Sequence, residues 1–298
     1  MSGRAVPPEE RARLVAEAER TIRAGSKSFR AASRLFDRRT RERAWLLYAW
    51  CRHCDDQCDG QALGRPGNPA PASFAPVEEM TRRALAGEPV GILPFDALAA
   101  VTAECGIPER LVEDHLAGFL LDCAGWRPET EGDLIRYCYH VAGAVGCMMA
   151  VVMGVPPDDS ETLARAADLG IAFQLANIAR DVREDHEAGR CYVPAEWLGE
   201  HGLDRADPAA IEIVPLVRRI VDLSLRHEAA ALPGIARLPF RCRWAVLSAR
   251  GIYGGIGRAV ADRGSAAWDR RVVVPRARKL ALVVDALADA CRPAALRA

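Results

Sequence analysis

The chain has no excess of either charge: 40 Lys and Arg stand against 40 Asp and Glu, and no long basic run interrupts the balance. A nucleic-acid partner is therefore not expected. The first residues, Met1 to Ala16, are polar and charged and lack the apolar core of a secretory leader. Strand-like alternation with hairpin chemistry is missing. So are an HExxH zinc helix and a Gly-x-Ser-x-Gly nucleophile turn, which removes two common hydrolase designs. Aromatic residues make up only 6% of the chain. The longest apolar run, Tyr139 to Val155, falls slightly short of a membrane span. Its Gly143, Gly146 and Gly154 suit close packing in a buried core helix.

What is abundant is helix-forming apolar sequence. Half of the 298 residues are hydrophobic, enough for a sizeable core. Helical periodicity covers 8–24, 28–36, 38–59, 75–87, 94–104, 107–123, 130–153, 160–187, 208–231, 238–263 and 274–291. Breakers separate these segments, including Gly64 to Pro71, Pro156-Pro157, Gly202 to Pro208 and Pro275. The expected fold is a single all-α domain over 1–298, with 1–7 and 293–298 as flexible tails. Ten cysteines without a leader are expected to be reduced thiols in a cytosolic protein.

Two acidic motifs carry the chemistry. Asp55-Asp56-Gln57-Cys58-Asp59 and Asp181-Val182-Arg183-Glu184-Asp185 each place two aspartates four residues apart, hence on one helical face. The first ends the nearly all-apolar segment Ala44 to Trp50, where bare carboxylates need compensating cations. Arg52 supplies one. The second continues a polar stripe through Gln174, Asn177, Asp181 and Asp185, with Arg180 and Arg183 alongside. Amide and carboxylate oxygens are hard ligands suited to Mg²⁺, and guanidinium groups match phosphate oxygens. A solvated acidic face explains either motif taken alone. Both motifs together with the amides favour a metal-bridged, phosphate-bearing substrate.

Other signals weigh less. Cys51, Cys54 and Cys58 have no second cysteine pair at zinc-finger spacing, and they are expected as small buried hydrophobes. Gly254-Gly255-Ile256-Gly257 follows no strand and is expected to be a closely packed helix segment, not a dinucleotide loop. His53 and His140 are expected in or near the core. Met148, Met149 and Met153 form an adaptable apolar cluster, either plain core or a substrate wall.

Several blocks carry a resemblance. Gly25-Ser26-Lys27-Ser28-Phe29, Tyr48 to Asp56, Tyr137 to Gly146, Phe173 to Asp181 and Gly189 to Pro194 stand in the order found in the squalene/phytoene synthase family. The Cys-Arg-His-Cys-Asp-Asp string is most similar to enterobacterial-type phytoene synthases. Two departures stand out: Cys58 replaces a hydrophobe of the commoner form, and Gly25 stands where some relatives carry histidine. The resemblance implies an isoprenoid-synthase-type helical bundle around a central apolar cavity, with the two acidic helices facing each other. It implies that Asp55, Asp59, Asn177, Asp181 and Asp185 hold Mg²⁺, or Mn²⁺ in its place, with Gln174 assisting. Arg52, Arg180 and Arg270 would hold diphosphate, and Ser26 and Ser28 would lie near the substrate. Tyr137 and Tyr253 would line the reacting centre, and Asp122 is a weaker counterpart.

The implied reaction is head-to-head condensation of two geranylgeranyl diphosphates through a cyclopropylcarbinyl diphosphate to phytoene, with no NADPH. The alternatives are dehydrosqualene, squalene or hydroxysqualene formation from farnesyl diphosphate, or a non-catalytic helical assembly protein on the same scaffold. Prenyl diphosphates, a membrane surface and downstream carotenoid enzymes are the expected partners. The expected location is the cytoplasm, peripheral to the inner face of the membrane.

Overall fold

A computed structural model describes the backbone of residues 6–25, 32–59, 61–62, 65–66 and 74–292. Side chains are described for 6–25, 32–58 and 74–292. Contacts gather into two compact units: Met1–Ala124 with Met148–Ser160, and Gly125–Cys147 with Glu161–Ala298.

The first unit contains α1 (Pro8–Gly25), α2 (Arg38–Asp59), α3 (Ala75–Leu85), α4 (Leu93–Cys105) and α5 (Glu109–Cys123). The only strands among the described residues are β1 (Gln61–Ala62) and β2 (Arg65–Pro66), which pair antiparallel after α2. Leu14, Ala18 and Ile22 repeat at helical spacing on α1 and pack with Leu46, Leu47 and Trp50 of α2 and Leu98 and Val101 of α4 in the buried core. An ion network ties the same three helices. Arg11 bonds Glu42 at 2.7 Å and also Glu104, and Arg43 bonds Glu104 at 3.0 Å. Buried Trp50 donates its indole N–H to Thr81 of α3 at 3.2 Å. These contacts hold the helix that ends in the first acidic motif.

The second unit begins with α6 (Glu131–Cys138), started by a capping box in which Thr130 and Asp133 satisfy each other's backbone N–H. A π turn, Tyr139–Gly143, leads into α7 (Ala144–Val152). Such turns insert an extra residue into the helical ladder and gather at functional sites. The run Glu131–Val152 is long and apolar enough to cross a membrane by length and composition, yet half of it is buried within the protein. Gly143 and Gly146 face α8 (Ser160–Arg180) at backbone contact: a Cβ on Gly170 would meet the Ala142 carbonyl oxygen at 2.3 Å, and one on Gly146 would meet that of Ala166 at 2.4 Å. Gly154 has a different use from the expected packing; its φ of 98° makes it a turn residue.

After α8 come α9 (Val182–Glu187), α10 (Ala195–Glu200), α11 (Ile213–Ala230), α12 (Leu232–Arg237), α13 (Phe240–Arg263), a 3₁₀ turn (Gly264–Ala267) and α14 (Arg276–Cys291). The expected helix over 160–187 is interrupted at Asp181, whose ψ opens to 20°. Its ladder continues, with Asp181 N–H on the Asn177 carbonyl and Asp185 N–H on the Asp181 carbonyl, both at 2.8 Å. The polar stripe therefore keeps its register. The six-residue helices α10 and α12 had no periodic signal because each is too short to show one. The expected 28–36 helix overlaps residues outside the described set. Ser224 of α11 bonds the Ala172 carbonyl of α8 at 2.8 Å, and Trp244 of α13 bonds the Val283 carbonyl of α14 at 2.8 Å. The glycine run on α13 is close packing, as expected: a Cβ on Gly254 would meet the Glu228 carboxylate at 2.1 Å.

Cysteine chemistry differs from expectation. Cys58 and Cys123 are joined by a disulfide, their Cα atoms 5.9 Å apart, so these two are not reduced thiols. Cys51 and Cys54 remain free thiols. Cys54 is buried as expected and Cys51 is half-buried, with desolvation pushing the Cys51 thiol up to about 12.

Candidate active site

In the first unit the carboxylates sit on the last turns of α2. Arg52, one turn earlier, reaches Asp55 at 2.8 Å and grips Asp56 through Nε at 2.9 Å. Asp56 is buried, while nearly half of the Asp55 side chain stays exposed. The Asp59 side chain, Ser26 and Ser28 lie outside the described residues. Tyr48 packs beside the same arginine. Its hydroxyl lies where a Cβ on Gly25 would fall, at 2.7 Å, so glycine there admits the phenol. Burial raises the Tyr48 hydroxyl to about 12, against the pull of Arg52, and keeps it a proton donor.

In the second unit the stripe is recessed. Asp181 receives Arg180 through Nε at 2.6 Å and Arg271 through two parallel bonds of 2.9 Å. Burial disfavours the Asp181 charge, but the two guanidinium groups outweigh it and hold the carboxyl below its usual range. Arg271 also reaches Glu184 at 3.5 Å. The segment carrying Arg271 is fastened by Trp268, whose indole N–H bonds the Ala179 carbonyl at 3.1 Å while its own carbonyl accepts from Arg183. Asp185 is approached by Arg190 at 3.7 Å. Gln174 and Asn177 are half-buried on the same face, two turns and one turn before Asp181 respectively.

The tyrosines sit in aromatic stacks. Tyr137, 2% exposed, is sandwiched between Trp126 at 5.6 Å and Tyr192 at 4.9 Å. Tyr253 stacks on Phe173 at 4.2 Å, and burial raises its hydroxyl above the ordinary value, with Arg180 pulling the other way. Phe173 lies one residue before Gln174, so this stack adjoins the polar stripe. His53 packs edge-on against Phe95 at 5.2 Å, and burial lowers its basicity, which suits a core role.

The structure thus brings Arg180, Asp181 and Tyr253 into one neighbourhood and places Arg52 with Asp55. Arg270, expected at the diphosphate, is exposed, and it is Arg271 that engages the acidic stripe. Adjacent arginines in a non-helical segment offer no period by which sequence could choose between them. Tyr192 and Trp126 were likewise missed as partners of Tyr137, since their contact is made only by the fold.

A description of squalene/phytoene synthase matches residues 22–278 and so spans both units. The chain belongs to the squalene/phytoene synthase family. It is 45% identical over 279 residues to a 15-cis-phytoene synthase of Enterobacter agglomerans, covering 89% of this chain and 92% of that one. It is 43% identical over 286 residues to a 15-cis-phytoene synthase of Pantoea ananas, covering 93% and 92%. Among solved structures it resembles a dehydrosqualene synthase in complex with ligand, with a TM-score of 0.82, 27% identity, and coverage of 94% of this chain and 98% of that one. These likenesses place the all-α architecture in the isoprenoid-synthase class.

Among the described residues, no three of His, Cys, Asp and Glu converge on a metal position. The donor set itself fits a hard cation. Asp181, Asp185 and the amide oxygens of Gln174 and Asn177 share one helical face, an all-oxygen arrangement that suits Mg²⁺ retaining waters and substrate phosphate.

Proposed function

We propose that this chain is a 15-cis-phytoene-type synthase, a prenyltransferase that condenses two geranylgeranyl diphosphates head to head in carotenoid biosynthesis. The observation that carries the reading is the arginine-clamped carboxylate stripe, in a chain so similar over nearly its whole length to bacterial phytoene synthases. The farnesyl-using alternatives and the non-catalytic scaffold are disfavoured by the same likeness.

When bound, Mg²⁺ supplies the positive charge that lets diphosphate leave an allylic carbon. In the second unit Asp181 and Asp185 would hold it, with Asn177 and Gln174 completing the oxygen set, and in the first unit Asp55 and Asp59 would serve as metal ligands by the family resemblance. Arg180 and Arg271 neutralise Asp181 in the ligand-free chain and turn their guanidinium forks to diphosphate oxygens as substrate enters. Arg52 does the same beside Asp55. Tyr137 and Tyr253 would line the reacting centre, Tyr137 by its edge because Trp126 and Tyr192 cover its faces, and the surrounding apolar side chains would exclude water from the allylic cation. By the family resemblance Arg270 would also hold diphosphate, and Ser26 and Ser28 would lie near the substrate. Loss of a proton ends the reaction, and NADPH is not consumed.

Incubating the protein with Mg²⁺ and geranylgeranyl or farnesyl diphosphate, without NADPH, tests this reading. Phytoene from the C20 substrate is expected. A hydrocarbon formed only from farnesyl diphosphate, or only with NADPH, would overturn it.

The product is a hydrocarbon and needs an apolar exit. We propose peripheral contact with the cytoplasmic face of a membrane, where downstream carotenoid enzymes collect the product. On α14, Leu280 and Val284 are 67% and 58% exposed on one face with Ala277, Ala281 and Ala288, beside exposed Arg276 and Arg278. Apolar residues flanked by arginine suit an anionic lipid surface. The protein is expected to sediment with vesicles containing anionic lipid, and Leu280→Glu with Val284→Glu should abolish this. Equal sedimentation of that double variant would exclude the α14 face.

A further inference from the structure

We propose that Cys58 and Cys123 form a site of reversible oxidation that tunes the first acidic motif. The proposal rests on the metal role given above to Asp55 and Asp59. Cys58 lies inside that motif, three residues after Asp55 and one before Asp59, on the final turn of α2. Cys123 is the last residue of α5, next to Asp122. The bond therefore joins the ends of two helices, across 65 residues of sequence.

Three observations single out this pair. The 5.9 Å Cα separation lies within the span that a disulfide bridges without backbone movement. Cys123 is exposed, so a small thiol or disulfide reaches it from solvent. The remaining eight cysteines form no disulfide: Cys54, Cys138, Cys147, Cys191 and Cys242 are buried, Cys51 and Cys105 are half-buried, and Cys291 is exposed. Cys58 and Cys123 are thus the one pair placed to bond to each other.

The reaction is thiol–disulfide exchange with a low-molecular-weight disulfide, RS–SR. One cysteine sulfur attacks RS–SR, breaking its S–S bond, forming a mixed disulfide and releasing one RSH. The second cysteine sulfur then displaces the other RS group, which leaves as RSH. The two cysteines lose two electrons and two protons, and RS–SR gains them. A small dithiol reverses the process.

The consequence follows from helix ends. A terminal turn opens more readily than the middle of a helix, and an opened turn would change the Asp55–Asp59 spacing. The bond ties that turn to α5. Carboxylates held at fixed spacing bind a cation demanding near-ideal geometry better than mobile ones do. The oxidised form is the high-affinity form for divalent cation, and reduction loosens it.

The full chain, equilibrated in buffers of defined reduced to oxidised glutathione ratio, tests this. Alkylation and peptide mapping by mass spectrometry report the pairing, and a Mg²⁺ titration of hydrocarbon formation is run in parallel. The Cys58–Cys123 peptide is expected in the oxidised sample. Its half-saturating Mg²⁺ is expected to be at least about fivefold lower than in the reduced sample, with kcat little changed. Cys58→Ser and Cys123→Ser should each behave like reduced protein in both buffers. Because the wild-type comparison needs no substitution, misfolding of a serine variant leaves the test intact. Failure of the pair to form, or equal Mg²⁺ dependence in both states, would overturn the proposal alone. Product formation indifferent to any divalent cation would overturn the metal reading beneath it.

Discussion

Asp181→Ala is expected to lower turnover about 10³-fold, the scale of losing a group that positions charge on a leaving oxygen. Excess Mg²⁺ should not restore it, because the ligand oxygen is gone. Sequence alone predicts little effect on stability, or even a gain, since carboxylates without metal repel one another. The structure reverses that expectation. Asp181 is held by Arg180 and Arg271, and Arg180 is itself only 15% exposed. Removing the carboxylate leaves a half-desolvated guanidinium without its counter-ion, at a cost on the order of 2 kcal/mol. The linkage has a definite sign. Asp181 titrates below its ordinary range, so its contribution is present above the unfolded carboxylate value near ~3.9 and is lost as pH falls through the lower folded value. Wild type should therefore lose stability relative to Asp181→Ala in that acid window, measured by denaturant midpoints across pH. Near-normal turnover of the variant would mean that the stripe is an ordinary surface.

Gly170→Ala is expected to be the most damaging single methyl group in the second unit. Its Cβ would fall 2.3 Å from the Ala142 carbonyl oxygen and 2.8 Å from the Gly143 Cα, both backbone atoms that no rotamer can move aside. Separating α8 from the π turn would cost about 3 kcal/mol or more. It would also shift Tyr137, which precedes that turn, and Gln174, one turn beyond Gly170. Activity and the denaturation midpoint should fall together. Gly189→Ala makes a useful contrast: a Cβ there meets nothing within 4 Å, and only its φ of 73° opposes the change. A Gly170→Ala protein of wild-type stability would show that the helices slide apart without penalty.

Helices with long periodic faces were legible because their burial pattern is written locally. Leu14, Ala18 and Ile22 announce α1, and the stretch ending in Trp50 announces α2. The stripe through Gln174, Asn177, Asp181 and Asp185 was legible for the same reason, and the interruption at Asp181 does not disturb its register. Three features had no local signature. The pairing of Asp181 with Arg271 joins residues 90 apart, the stack of Tyr137 on Tyr192 depends on where the segment after α9 returns, and the Cys58–Cys123 bond crosses 65 residues. Each is a meeting of distant segments, and periodicity carries no information about which distant segments meet.

The amino-acid sequence by itself determined the helical class, the two carboxylate motifs and their face, the oxygen-rich chemistry they suit, and the family. These depend on residue type and on spacing within a few turns, where helix geometry converts separation into direction. Tertiary structure alone decided that Arg271, not Arg270, grips the acidic stripe, that two of ten cysteines are bonded, and that Gly170 is a backbone contact. Those outcomes follow from packing between elements, where a shift of a few ångströms selects one neighbour over another and no local rule constrains the choice.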